Sequence, residues 1–180
     1  MIDLKIPRIH EPEYDDPKEV YAFFGLAAFY AQCFEQSMIL LLLAVNLRRP
    51  KALQSKGRDE LLKWFDKKSL GALITELKKV ANVEVTLQKR LEDLLEKRNF
   101  LMHHFFPKNS MKTATDQGRR DVLDELRSLA QTFQDGDHLL VSIYEPLWEK
   151  MGMTQEMIEH GLRQIMAGEE LTPPPGLSAR

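Results

Sequence analysis

Asp16-Pro17-Lys18-Glu19-Val20 opens the stretch that decides the fold, and Met38-Ile39-Leu40-Leu41-Leu42-Leu43-Ala44-Val45 runs toward its end at Arg48-Arg49-Pro50. Asp16 is a good N-cap, Pro17 suits the first helical position, and Glu19 stands where a capping-box acid belongs. Pro50 cannot continue a helix. Between these signals lies one long helix, expected to reach Leu47 and to form the spine of the domain. A membrane span fits poorly. Met38–Val45 is continuously apolar, but eight residues are too few to cross a bilayer. Gln32, Glu35 and Gln36 interrupt the wider stretch, and a carboxylate at bilayer depth is costly. The stretch reads as a buried core helix.

The rest of the chain is helical in the same way. A short helix is expected over Asp59–Asp66. Ser69 reads as the N-cap of another, with Leu70, Leu73, Ile74 and Leu77 at helical spacing. Val83–Phe105 is the next long helix, its core face marked by Leu87, Leu91, Leu94, Leu95 and Leu101, and Pro107 is expected to end it. Lys108–Gly118 reads as a polar loop. Asp121–Phe133 is amphipathic, Asp135-Gly136-Asp137 either breaks that helix or is absorbed, and Leu139–Met151 continues with a kink at Pro146. Thr154 can cap a last helix to about Met166. No segment alternates as a strand does. The fold class is therefore all-α, a bundle of four to six helices. It occupies residues 16–168, between an irregular N-terminal arm (1–15) and a flexible Pro-rich tail (169–180).

The 180 residues suit one domain, with 43% hydrophobic and 29% charged residues, the profile of a globular protein. The formal net charge is −2, so no global field recruits nucleic acid. The charge is uneven, however: residues 48–98 hold 14 Lys/Arg against 8 Asp/Glu, a local +6 that leaves −8 for the remainder. That middle segment fits an RNA-facing surface or, more simply, the solvated faces of amphipathic helices. The lone cysteine, Cys33, excludes an intrachain disulfide framework and a cysteine-based zinc site, and reads as a small buried hydrophobe. The N-terminus lacks a basic start followed by an apolar stretch, so a cytoplasmic location is expected.

Lys97-Arg98-Asn99-Phe100-Leu101-Met102-His103-His104 points most directly at chemistry. A guanidinium holds a phosphate with a rigid fork of donors. An imidazole moves a proton near neutral pH. Asn99 and His103 are four apart and share a helix face. Arg98 lies one residue round, and His104 offers a second imidazole. The spacing also admits a plain structural reading, with Arg98 on the helix surface and His103 packed against Phe105 and Phe106. Glu35, a carboxylate in an apolar helix, needs a partner if it is buried. Arg98 is the natural one; the alternative is a solvent-facing Glu35.

The six residues Arg98 to His103, late in a long helix, resemble the Arg-x4-6-His motif of HEPN domains. The first helix, with Phe24-Gly25-Leu26-Ala27, Ala31-Gln32 and Glu35, is similar to that of small bacterial proteins of this kind. The resemblance spans residues 17–150. It implies an all-α, commonly dimeric protein, in which the motifs of two protomers meet across the interface. Many such proteins are metal-independent endoribonucleases of toxin–antitoxin or defence systems; others have lost catalysis and bind partners. Carried over, Arg98 binds phosphate, His103 transfers the proton, and Asn99 matches a frequent polar residue after the arginine. RNA is then the substrate, an antitoxin-like protein a partner, and no cofactor or metal is expected. The alternative within the resemblance is a catalytically inactive module that binds a protein or RNA. Outside it stands a helical adaptor, with His103 packed in the core.

Other candidates read as structural. Phe23, Phe24, Phe29, Tyr30 and Phe34 are expected in the core or at an interface. Arg48, Arg49, Lys51, Lys56 and Arg58 could contact a nucleic-acid backbone or, more simply, belong to a solvated loop. His10, His138 and His160 are isolated, without the spacing of metal ligands. There is no glycine-rich phosphate loop and no serine nucleophile elbow.

Overall fold

The structure, a computed structural model, describes residues 8–49 and 57–169. Their regular elements are all helical: α1 (Glu19–Leu47), α2 (Arg58–Phe65), α3 (Leu70–Val80), α4 (Val85–His103), α5 (Phe105–Asn109), α6 (Asp116–Glu149) and α7 (Gln155–Ala167), with a single 3-10 turn at Lys112–Ala114. The all-α class holds. The described residues form seven α-helices, more than the four to six expected, because the end of the Arg/His helix is divided in two.

α1 and α6 are the long central pair, and α3 and α4 pack beside them. Phe23, Phe34, Met38 and Leu42 of α1 meet Leu123, Leu126 and Phe133 of α6 in one continuous core, each at most 1% exposed. Burying each such side chain contributes roughly 1.5–3 kcal/mol. By length and composition α1 could cross a membrane, but twelve of its residues are buried in this protein core. Cys33 is half-buried beside α6, and burial, reinforced by the Asp137 carboxylate, pushes its thiol up.

Capping follows the sequence closely at two starts. Ser69 Oγ accepts from the Ala72 N–H at 3.4 Å, and Thr154 Oγ1 accepts from the Met157 N–H at 3.3 Å. At α1 the regular helix begins three residues later than Asp16, whose carboxylate accepts from the Lys18 N–H at 2.8 Å, while Glu19 reaches back to the Glu13 N–H at 3.1 Å.

Two expectations need correcting. Pro107 does not end the Arg/His helix. The break falls at His104, and Pro107 is the third residue of α5, in a first turn where no N–H is required. Lys108–Gly118 is not one loop, since it holds the end of α5, the 3-10 turn and the start of α6. Of the two alternatives open for Asp135-Gly136-Asp137, absorption holds: α6 is one helix of 34 residues that also carries Pro146.

The arm is described from Arg8 onward and lies along α6. The Ile9 N–H donates to Gln131 Oε1 at 3.0 Å, Arg127 Nε donates to the Ile9 carbonyl at 3.3 Å, and Arg120 pairs with Asp15 at 2.9 Å. The connection at 50–56 and the tail from 170 onward lie outside the described residues.

Candidate functional site

α4 carries the motif, and its last turn is fixed by aromatic packing. Phe105, immediately after the two histidines, is 1% exposed. Its ring lies 5.9 Å from those of Phe24 and Phe100, and Phe106 lies 4.7 Å from Phe24. These contacts anchor the chain just beyond His104 and turn the histidines outward. Both His103 and His104 are exposed, their rings 6.3 Å apart and inclined at 70°. The alternative of His103 packed against Phe105 and Phe106 therefore does not hold, since those rings pack on Phe24, Phe100 and each other.

Arg98 faces α1. Its Nε donates to Glu35 Oε1 at 2.5 Å, with both side chains about a quarter exposed (27% and 24%). Nη1 lies 3.4 Å from Asn99 Oδ1, a long contact. The pair uses one edge of the guanidinium and leaves Nη2 without a hydrogen-bonding partner among the described residues. Glu35 is thus a partly buried carboxylate with a charged partner, which offsets its loss of hydration.

The structure brings Arg98, Glu35 and Asn99 together, while among the described residues no hydrogen bond links either histidine to them. Five positions along a helix give a rise of about 7.5 Å and a rotation of about 140°. One chain therefore presents a held guanidinium and two outward imidazoles on an open surface. Lys108 adds charge, with Nζ 5.1 Å from the centre of the Phe100 ring. Lys97 is engaged with Asp93.

A feature the sequence reading passed over adjoins this site. Glu35 is the sole charged residue between Val20 and Leu47. The outward positions of α1 are consequently uncharged: Tyr21, Ala22, Gly25, Phe29, Gln32 and Gln36 are exposed at helical spacing. Tyr21 is 70% and Phe29 58% exposed, and Tyr21 stacks on Phe106 at 6.0 Å. Glu35 sits at the edge of this stripe, three residues after Gln32 and one before Gln36. The lack of charge at every outward position was the available signal. Of the other aromatic candidates, Phe23 and Phe34 are buried, and Phe24 and Tyr30 are partly so. Ser37 and Asp137, hydrogen bonded at 2.5 Å, form a further polar link between α1 and α6 that the sequence did not announce.

Comparisons with protein-family models, curated proteins and solved structures found no match to this chain.

Proposed function

We propose that the protein is a HEPN-like endoribonuclease that works as a homodimer, cleaving RNA by attack of a 2′-OH on the adjacent phosphate. The observation that carries the reading is the Arg98–Glu35 pair at the border of an uncharged, aromatic-bearing face of α1, with His103 exposed at the end of the same helix as Arg98. A second copy placed on that face supplies a second Arg98 and a second pair of histidines. It thereby offsets the separation of Arg98 from His103 within one chain.

In this mechanism Arg98 binds the scissile phosphate. Glu35 holds the guanidinium by Nε, so the Nη edge meets the non-bridging oxygens and stabilises the negative charge that builds on them. An imidazole removes the 2′-OH proton, the 2′-oxygen bonds to phosphorus, and the P–O5′ bond breaks. A second imidazole returns a proton to the 5′-oxygen. His103 is the first candidate for this work and His104 the second. Products are a 2′,3′-cyclic phosphate and a 5′-hydroxyl. Asn99, beside Arg98, orients the same phosphate. A protein partner of antitoxin type would restrain the activity by covering this surface.

The test is cleavage in EDTA. Wild type and His103→Ala are incubated with total RNA and a tRNA pool. Cleavage by wild type alone, leaving cyclic-phosphate ends, supports the reading. A folded, dimeric wild type that cuts neither pool shifts the assignment to a catalytically silent binding module.

A further inference from the structure

A second concave site lies on the other part of the bundle, between α1, α2, α6 and α7. It has a volume of about 560 Å3, within the range of sites that hold one small molecule. Its wall is apolar: Leu40, Leu43, Leu62, Val141, Trp148 and Ile158 line it. Leu40, Leu62 and Ile158 are each about 40% exposed (37%, 43% and 40%), so large aliphatic surface faces the cleft rather than the core. Among the described residues, the charged groups of the lining are the carboxylates Asp59, Glu145 and Glu149.

The placement of two of these carboxylates is informative. Glu145 and Glu149 are four residues apart on α6, a spacing at which like charges repel. Neither makes an ion pair with a lysine or arginine among the described residues. Between them in sequence stands Trp148, and Tyr144 precedes them; both rings line the same cleft. An indole face attracts a cation, the more so where water is partly excluded. Carboxylates beside aromatic rings over an aliphatic floor favour a ligand that is positive at one end and apolar at the other, and they repel a fatty acid or other anion.

We propose that this cleft binds a small hydrophobic cation, a protonated amine or quaternary ammonium carrying an aliphatic or aromatic body. The apolar body fills the space between Leu43, Leu62 and Val141, while the cationic head lies against Trp148 with Glu145 and Glu149 beside it. A helical peptide is the poorer occupant, because it needs a groove that continues past several turns. The site is distinct from the Arg98 surface and independent of the ribonuclease reading: Leu40 and Leu43 lie five and eight residues beyond Glu35 on α1, about 7–12 Å along its axis.

The experiment uses the full chain with Trp64→Phe, which leaves Trp148 as its one tryptophan. Decyltrimethylammonium, kept below its micelle concentration, is titrated against Trp148 emission, with decanoate as the chain-matched anion and circular dichroism as the check on folding. A saturable response to the cation, at least about tenfold tighter than to decanoate, is expected. Glu145→Gln with Glu149→Gln should weaken the cation about fivefold and narrow the gap between the probes. Equal affinity for both probes, or a cation affinity unchanged in the double variant, overturns the proposal. So does the absence of any saturable response.

Discussion

Arg98 and Glu35 stand 63 residues apart in the chain and meet Nε to Oε1 at 2.5 Å, tying α4 to α1 at the border of the uncharged face. The bond consumes Nε and leaves Nη2 without a hydrogen-bonding partner among the described residues. Glu35→Ala should therefore act twice. It removes a charged hydrogen bond between half-buried groups, with a loss of about 1–3 kcal/mol in chemical denaturation. It also frees Arg98 to swing, so cleavage should fall by more than tenfold while Glu35→Gln retains more of it. A double-mutant cycle with Arg98→Ala separates the pair from the parts. A coupling near zero would show that the two side chains do not depend on each other.

His103 presents the opposite case, a side chain whose removal the fold should tolerate. It is exposed, and its neighbours Phe105 and Phe106 pack without it. His103→Ala should change stability by less than about 0.5 kcal/mol. Loss of general acid–base catalysis should lower the cleavage rate by about 10²–10⁴. A variant that is destabilised and inactive together would place His103 in a structural role.

Local signals announced much of the fold. Ser69 and Thr154 cap the helices they precede, since a hydroxyl before an apolar run satisfies an orphan N–H wherever the chain goes next. The continuity of α6 was not legible, because Asp135-Gly136-Asp137 has the composition of a break. Tertiary contacts override it: Asp137 accepts from Ser37, Gln134 donates to Tyr30 at 3.3 Å, and Gly136 lies under Leu94. In the candidate site, Glu35 was legible as a charge needing a partner. The exposure of Tyr21 and Phe29 was not, because an apolar pattern on nearly every side of a helix does not say which side the bundle leaves uncovered.

Two glycines make that packing measurable. A Cβ at Gly136 would lie 2.8 Å from Leu94 Cδ1 and 3.4 Å from Phe34 Cδ2, both in the core. One at Gly118 would lie 2.2 Å from the Lys112 carbonyl oxygen, which is backbone and cannot turn aside. Alanine at either position gains up to about 1 kcal/mol in helix propensity and loses about 1–3 kcal/mol to overpacking. Gly118→Ala should be the more damaging, because the 3-10 turn and the Thr115 cap must both move. Denaturation midpoints rank the two; equal midpoints for both variants and wild type would refute the packing account.

Alkaline pH should weaken the fold through two phenols. Burial pushes Tyr144 up, with the Asp137 and Glu145 charges adding to it against the opposing effect of the nearby Ser37 hydroxyl. Its hydrogen bond to Asp124 pushes Tyr14 up, with burial second. In both, the folded value lies above the unfolded one, so the stabilisation is complete below about pH 10 and is lost as pH rises through the folded values. Denaturation midpoints should fall above about pH 10. Tyr144→Phe should lessen that fall, and an unchanged slope in the variant would show that Tyr144 does not contribute.

The dimeric reading makes the α1 face its critical surface. Phe29 and Tyr21 project from it at 58% and 70% exposure, with Gly25, Gln32 and Gln36 between and beyond them. Large aromatics on an uncharged stripe are the residue types that dominate interfaces. Phe29→Arg adds charge without disturbing the core, so the monomer should stay folded with its helical content intact. Self-association should weaken by about thirtyfold or more, the effect of losing one central anchor. Because each cleft would draw residues from both copies, cleavage should fall with the dimer and return as protein concentration is raised. Sedimentation of wild type and variant over the same concentration range decides it. A monomeric wild type that still cuts RNA would leave the Arg98 chemistry in place and remove the second copy from the mechanism.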